Sequence, residues 1–261
     1  MRMTTPAMRR TLSRVSSDAA RGAVATPATF GGIVWKSLYF AGITIIAAII
    51  GIVALSYSVQ MEDENTLMTL MIAAVIALVL MLVCSFVVMF KPQSVKVAGT
   101  LYSLCQGFLL GMVVLLFELV VPGVGFAAIL GTAIVFVISV AMNKFLATRV
   151  KSNLIRVAFV GLISLFVVEL IVTLLAMATG SQNVFTFYYW LQLLITAFCV
   201  FYASVMLMWE LQTANDIVQM GADKIYEWNV SFSLITTLVY LYIQILELIV
   251  RLAMIFGRNK N

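Results

Sequence analysis

The stretch LMTLMIAAVIALVLMLVCSFVVMF, Leu67 to Phe90, contains no charged residue, and its only polar side chains are Thr69, Cys84 and Ser85. A bilayer core about 30 Å thick is crossed by about 20 apolar helical residues. The stretch lacks the strict polar and apolar alternation of a barrel strand, and a helix satisfies its own backbone inside lipid. It reads as a membrane-spanning helix. Working outward, similar runs lie at approximately Ser37 to Ser58, Val97 to Val120, Val121 to Asn143, Leu154 to Ala178, Val184 to Glu210 and Trp228 to Phe256. The expected fold is an all-α polytopic membrane protein with seven transmembrane helices. Composition agrees: 63% of residues are hydrophobic and 10% charged, against about half and a quarter in soluble domains.

The division is a basic tail over 1–34, a transmembrane domain over 35–257 and a short tail over 258–261. Arg2, Arg9, Arg10, Arg14, Arg21 and Lys36 precede or open the first span, while Glu62, Asp63 and Glu64 follow it without a base. Lys91 and Lys96 follow the second span, and Lys144, Arg149 and Lys151 the fourth. The positive-inside rule therefore places the N-terminus in the cytoplasm of a multi-pass plasma-membrane protein. An odd number of spans leaves Arg258 and Lys260 outside, against the rule, so either the last element crosses despite its tail or it does not cross fully. Trp35, Trp190, Trp209 and Trp228 fall at expected span ends, as an aromatic belt would. Nucleic acid is not an expected partner, because the net charge of +5 resides in the tail and loops. Cys84, Cys105 and Cys199 lie inside apolar runs and the chain has no histidine, so neither a disulfide frame nor a metal site or cofactor is expected.

Ionisable side chains within a bilayer are expensive, about 2.5 to 3.5 kcal/mol each on insertion scales, and are functional candidates by default. Glu118 lies a turn before Pro122, within reach of the outer interface. Glu169 sits well inside the fifth span with no base within a turn, so it faces protein or water or stays protonated; a functional carboxylate and an interhelical hydrogen bond are both open readings. Glu247 and Arg251 are spaced i,i+4 with the acid first, the favourable order for a helical ion pair, and Arg251 can also snorkel toward the span end. Gln244 and Glu247, at i,i+3, share a stripe that must point into the bundle. Glu210 ends the sixth span and is followed by a polar connector, Asn215 to Glu227, with Asp216, Asp223, Lys224 and Glu227. That connector is either a solvated loop or an acidic, cation-attracting cytoplasmic mouth. Gly107 and Gly111 form a GxxxG in the third span, which predicts close helix contact. No phosphate-cradling loop, nucleophile elbow or HExxH occurs, so no enzyme is expected.

PATFGGIVWKS before the first span, LYSLCQGFLLG with FELVVPG in the third, and GADKIYEWNVSF leading into LVYLYIQIL resemble the Bax inhibitor family in its bacterial YccA-like branch. The resemblance covers nearly the whole chain after about residue 26. It implies seven helices with the last one central, and a pH-sensitive calcium leak gated by two acids, one ending the sixth helix and one in the seventh. Glu210 stands at the first of those positions. Gln244 stands at the second, and Gln106 where this branch is expected to carry a glutamate, so both depart from the pattern.

Two facing carboxyls couple their titrations, whereas a carboxyl and an amide do not. Gln244 can still hydrogen-bond Glu210 in either protonation state, because an amide both donates and accepts. Glu247 is an alternative second acid. The expected function is a passive cation (Ca²⁺) leak with weakened pH gating, its partners being the lipid bilayer and Ca²⁺. The other reading, which the resemblance also allows, is a regulatory protein that modulates a membrane protease or stress response through the basic tail and the connector.

Overall fold

The structure is a computed structural model that describes residues 27–61, 64–145 and 182–258, with single positions between 157 and 174. Among these residues the elements are α1 (Phe30–Met61), α2 (Glu64–Phe90), a 3-10 turn (Pro92–Ser94), α3 (Val95–Val120), α4 (Val124–Phe145), α5 (Gln182–Gln219) and α6 (Ile225–Arg258). All six α-helices are long and apolar enough to cross a membrane. The expected fifth span, Leu154 to Ala178, lies largely outside the described residues, and its described positions are helical. Residues 1–26, Glu62, Asp63, Arg149, Lys151, Glu169 and Lys260 also lie outside them.

The chain divides into two compact units. One comprises Met1–Val120 with Glu210–Thr236, the other Val121–Trp209 with Thr237–Asn261.

In the first unit α1 is built as an inside-out helix. Its buried positions, Ile33, Ser37, Phe40, Thr44, Ala47, Gly51, Leu55 and Ser58, recur every three or four residues. Ile45, Ile46, Ile49, Ile50 and Val53 stay exposed, the distribution expected of a helix with lipid on its outer face. The expected close contact at Gly107 and Gly111 is realised against α1. A Cβ at Gly107 would collide with the Thr44 carbonyl oxygen and one at Gly111 with that of Ala48, so the two backbones touch where only glycine fits.

Thr29 caps α1, its Oγ1 accepting from Gly32 N at 3.1 Å. The start of α6 packs on the same helix. Phe40, fully buried, meets Trp228 and Phe232 edge-on at centroid separations of 5.8 and 5.6 Å, and Tyr102 of α3 meets Phe232 at 5.1 Å.

The α5 to α6 connection is shorter than the sequence suggests, since α5 continues as helix through Gln219. It ends in a Schellman motif: Gly221 takes φ +61°, Ala222 N donates to Ile217 O at 3.2 Å and Gly221 N to Val218 O at 3.1 Å. Asp223 Oδ1 then accepts from Ile225 N at 3.2 Å, an N-cap for α6. Thus Gly221 and Asp223 end one helix and start the next within three residues.

In the second unit Gly123, at φ +84°, makes the turn that Val121-Pro122-Gly123 announces, and Val124 N donates to Val121 O at 3.2 Å. Gly131 of α4 lies against Ile245 of α6, and Tyr242 Oη donates to Gly125 O at 3.4 Å.

Candidate functional site

Seven polar residues of α6 share one face. Asn229, Ser233, Thr236, Tyr240, Gln244, Glu247 and Arg251 follow one another at intervals of three or four, and each is half-buried. Residues at that spacing stack along a single side of a helix. In a helix that must cross an apolar medium, such a stripe is directed at protein or water.

Glu210 lies in the first unit, 7% exposed, and its side chain hydrogen-bonds that of Ser233. Glu210, which the sequence places at a span end, lies within α5, two turns before its end at Gln219, and is thereby joined to the polar face of α6. Gln106 on α3 is 9% exposed, and its Oε1 has no hydrogen-bond partner among the described residues. Ser37 Oγ and Asn229 Nδ2 are likewise buried and unsatisfied among those residues. Ser37 lacks its usual helical acceptor for a local reason: the Ile33 carbonyl already takes Ser231 Oγ at 2.8 Å. Buried polar atoms of this kind normally hold water or an ion.

Gln244, Glu247 and Arg251 belong to the second unit. Arg251 Nη2 is ion-paired with Glu247 as the i,i+4 spacing expects, and its Nη1 donates to Gln192 O at 2.6 Å. The guanidinium is therefore held twice, by its own helix and by α5. Tyr240 hydrogen-bonds Cys199 in the same unit. Glu118 is half-buried near the end of α3. Glu169 cannot be placed, being outside the described residues.

The three acids of the supposed mouth separate into different environments. Asp216 and Asp223 are half-buried, and Asp223 is the α6 cap. Glu227 is fully buried. Lys36 Nζ donates to its Oε2 at 2.7 Å, and Thr29 N donates to its Oε1 at 2.7 Å. Lys36 Nζ also reaches the Lys224 carbonyl at 3.1 Å. Gly32 lies directly against the carboxylate, leaving no room for a Cβ. A bridge between Pro27 and Asp223, with Ala28 N donating to Ala222 O at 2.6 Å, completes a clasp between the lead-in to α1 and the start of α6. Its charge is thus turned inward and neutralised. The sequence reading missed this pair, whose members are 191 residues apart.

No group of three or more Cys, Asp or Glu side chains that could hold a metal occurs among the described residues. Cys84 and Cys105 are buried thiols and Cys199 a half-buried one, none of them in a disulfide among the described residues.

A family profile described as Bax inhibitor 1 like matches residues 5–254. No curated protein and no solved structure matches the chain. The match extends from the basic tail almost to the end of α6 and includes both motifs of the clasp. With its six described apolar helices, this chain is a multi-pass membrane protein that belongs to the Bax inhibitor 1 like family.

Proposed function

We propose that the protein is a passive cation leak, Ca²⁺ being the ion the resemblance favours, in which Glu210 and the polar face of α6 form the conducting environment. The observation that carries the reading is the hydrogen bond from Ser233 to the buried Glu210, which links a membrane acid to the polar face of α6. A carboxylate attracts a cation and hydroxyl and amide oxygens replace part of its hydration shell. The leak belongs to a YccA-like member in a plasma membrane, with the arginine-rich N-terminus in the cytoplasm.

Control by pH rests on Glu210, with Gln244 at the position where a second acid is expected. Protonation of Glu210 removes its charge, whereas Gln244 has no proton to exchange. The pH response is accordingly flatter than that of a two-acid relative.

Reconstitution in vesicles loaded with a calcium dye tests the reading. Flux above that of empty vesicles is expected, and no such flux at any pH overturns it. Gln244→Glu is expected to raise the ratio of flux between the acid and alkaline sides of neutrality, since a second titrating group is added. An unchanged profile in that variant removes Gln244 from the gate.

A further inference from the structure

Trp228, in the first turn of α6, is flanked by two lysines. Lys36 Nζ lies 4.9 Å from its ring centroid and Lys96 Nζ 5.6 Å. Tyr39 meets the same indole edge-on at 5.7 Å. The two cations differ in what balances them. Lys36 is 12% exposed at its side chain and paired with Glu227, so its charge is spent. Lys96 is exposed, and no carboxylate among the described residues pairs with it.

The surroundings of Lys96 suit a lipid headgroup better than bulk water. It occupies the first turn of α3, which begins at Val95 directly after the 3-10 turn Pro92–Ser94. Its neighbour Val97 is 75% exposed, as is Trp35 of α1, and an apolar side chain beside an exposed cation at a helix end marks the depth where acyl chains meet phosphates. The indole restrains the lysine stem, so the ammonium is presented with less loss of rotamer freedom than a free surface lysine incurs. The adjacent Thr100 hydroxyl donates back to the Lys96 carbonyl, so Tyr39 Oη, 3.2 Å from it, is the donor in that pair. Tyr39 is thereby tied down as the wall of the site and is not a phosphate donor.

We propose that Lys96, braced on Trp228, binds the phosphate of an anionic phospholipid. The acyl chains would lie along the exposed faces at Trp35, Val97 and Leu101. This site is independent of the leak and stands whether or not the protein conducts.

Native mass spectrometry of the full-length protein tests it, with phosphatidylglycerol and phosphatidylcholine as probes. The wild type retains phosphatidylglycerol in preference. A juxtamembrane lysine is worth about 1 kcal/mol toward an anionic lipid surface, so Lys96→Gln lowers phosphatidylglycerol affinity about fivefold and leaves phosphatidylcholine unchanged. Lys96→Arg keeps the preference, which guards against a misfolded variant. Lys91→Gln, the same charge change at another exposed lysine before α3, leaves affinity as in the wild type. Equal affinity in Lys96→Gln and wild type overturns the site. An equal drop in Lys91→Gln also overturns it, by showing diffuse charge alone, and displacement of the lipid by excess inorganic phosphate assigns the pocket to free anions instead.

Discussion

The two described ion pairs, Lys36 with Glu227 and Glu247 with Arg251, use the same chemistry to opposite ends. The first joins residues 191 apart, and its acid is fully buried and further held by the Thr29 amide. The second joins residues one turn apart on α6, with side chains 16% and 29% exposed. A long-range buried pair fixes two segments against each other, because either charge left alone would be desolvated without compensation. A local pair does little more than let one helix carry its own charges through an apolar medium.

Lys36→Met should have the largest effect. It strands a buried carboxylate and is expected to cost about 3 to 5 kcal/mol, seen as an earlier thermal transition by circular dichroism in detergent. Adding Glu227→Leu should restore most of that loss, since replacing both charges with apolar groups is often neutral; a double variant no better than Lys36→Met would mean that the clasp depends on the Thr29 bond instead. Gly32→Ala, whose methyl displaces the Glu227 carboxylate, should cost about 1 to 3 kcal/mol. Glu247→Gln should cost about 0.5 kcal/mol or less, because Arg251 keeps its bond to the Gln192 carbonyl. A loss there comparable to that of Lys36→Met would erase the distinction between the two pairs.

The spans were legible because hydropathy acts locally: Leu67 to Phe90 was expected, and Glu64–Phe90 is helical. The Pro122-Gly123 turn and the i,i+4 pair were legible for the same reason. The GxxxG at Gly107 and Gly111 signalled close contact but not its partner, α1, since nothing in a glycine names what it faces. The clasp was hidden because each half has a sufficient local explanation, Lys36 as an orienting charge and Glu227 as a loop acid. The surplus of acids in the connector also had a local appearance and a structural cause: Asp223 caps a helix and Glu227 answers a lysine from the other end of the sequence. One signal was present. PATFGGIVWKS and GADKIYEWNVSF, two of the stretches that carried the resemblance, are the two halves of the clasp. A motif rich in Gly, Asp and Glu beside a span is explained by turn, cap and counter-charge before any role in transport is needed.

The clasp also sets a timetable for biogenesis. Lys36 enters the nascent membrane helix early, yet Glu227 is translated 191 residues later. At about 5 to 20 residues per second, the lysine is made roughly 10 to 40 s before its counter-ion. The first helix can be inserted from the start of synthesis, but its lead-in becomes anchored only when the last helix begins to emerge.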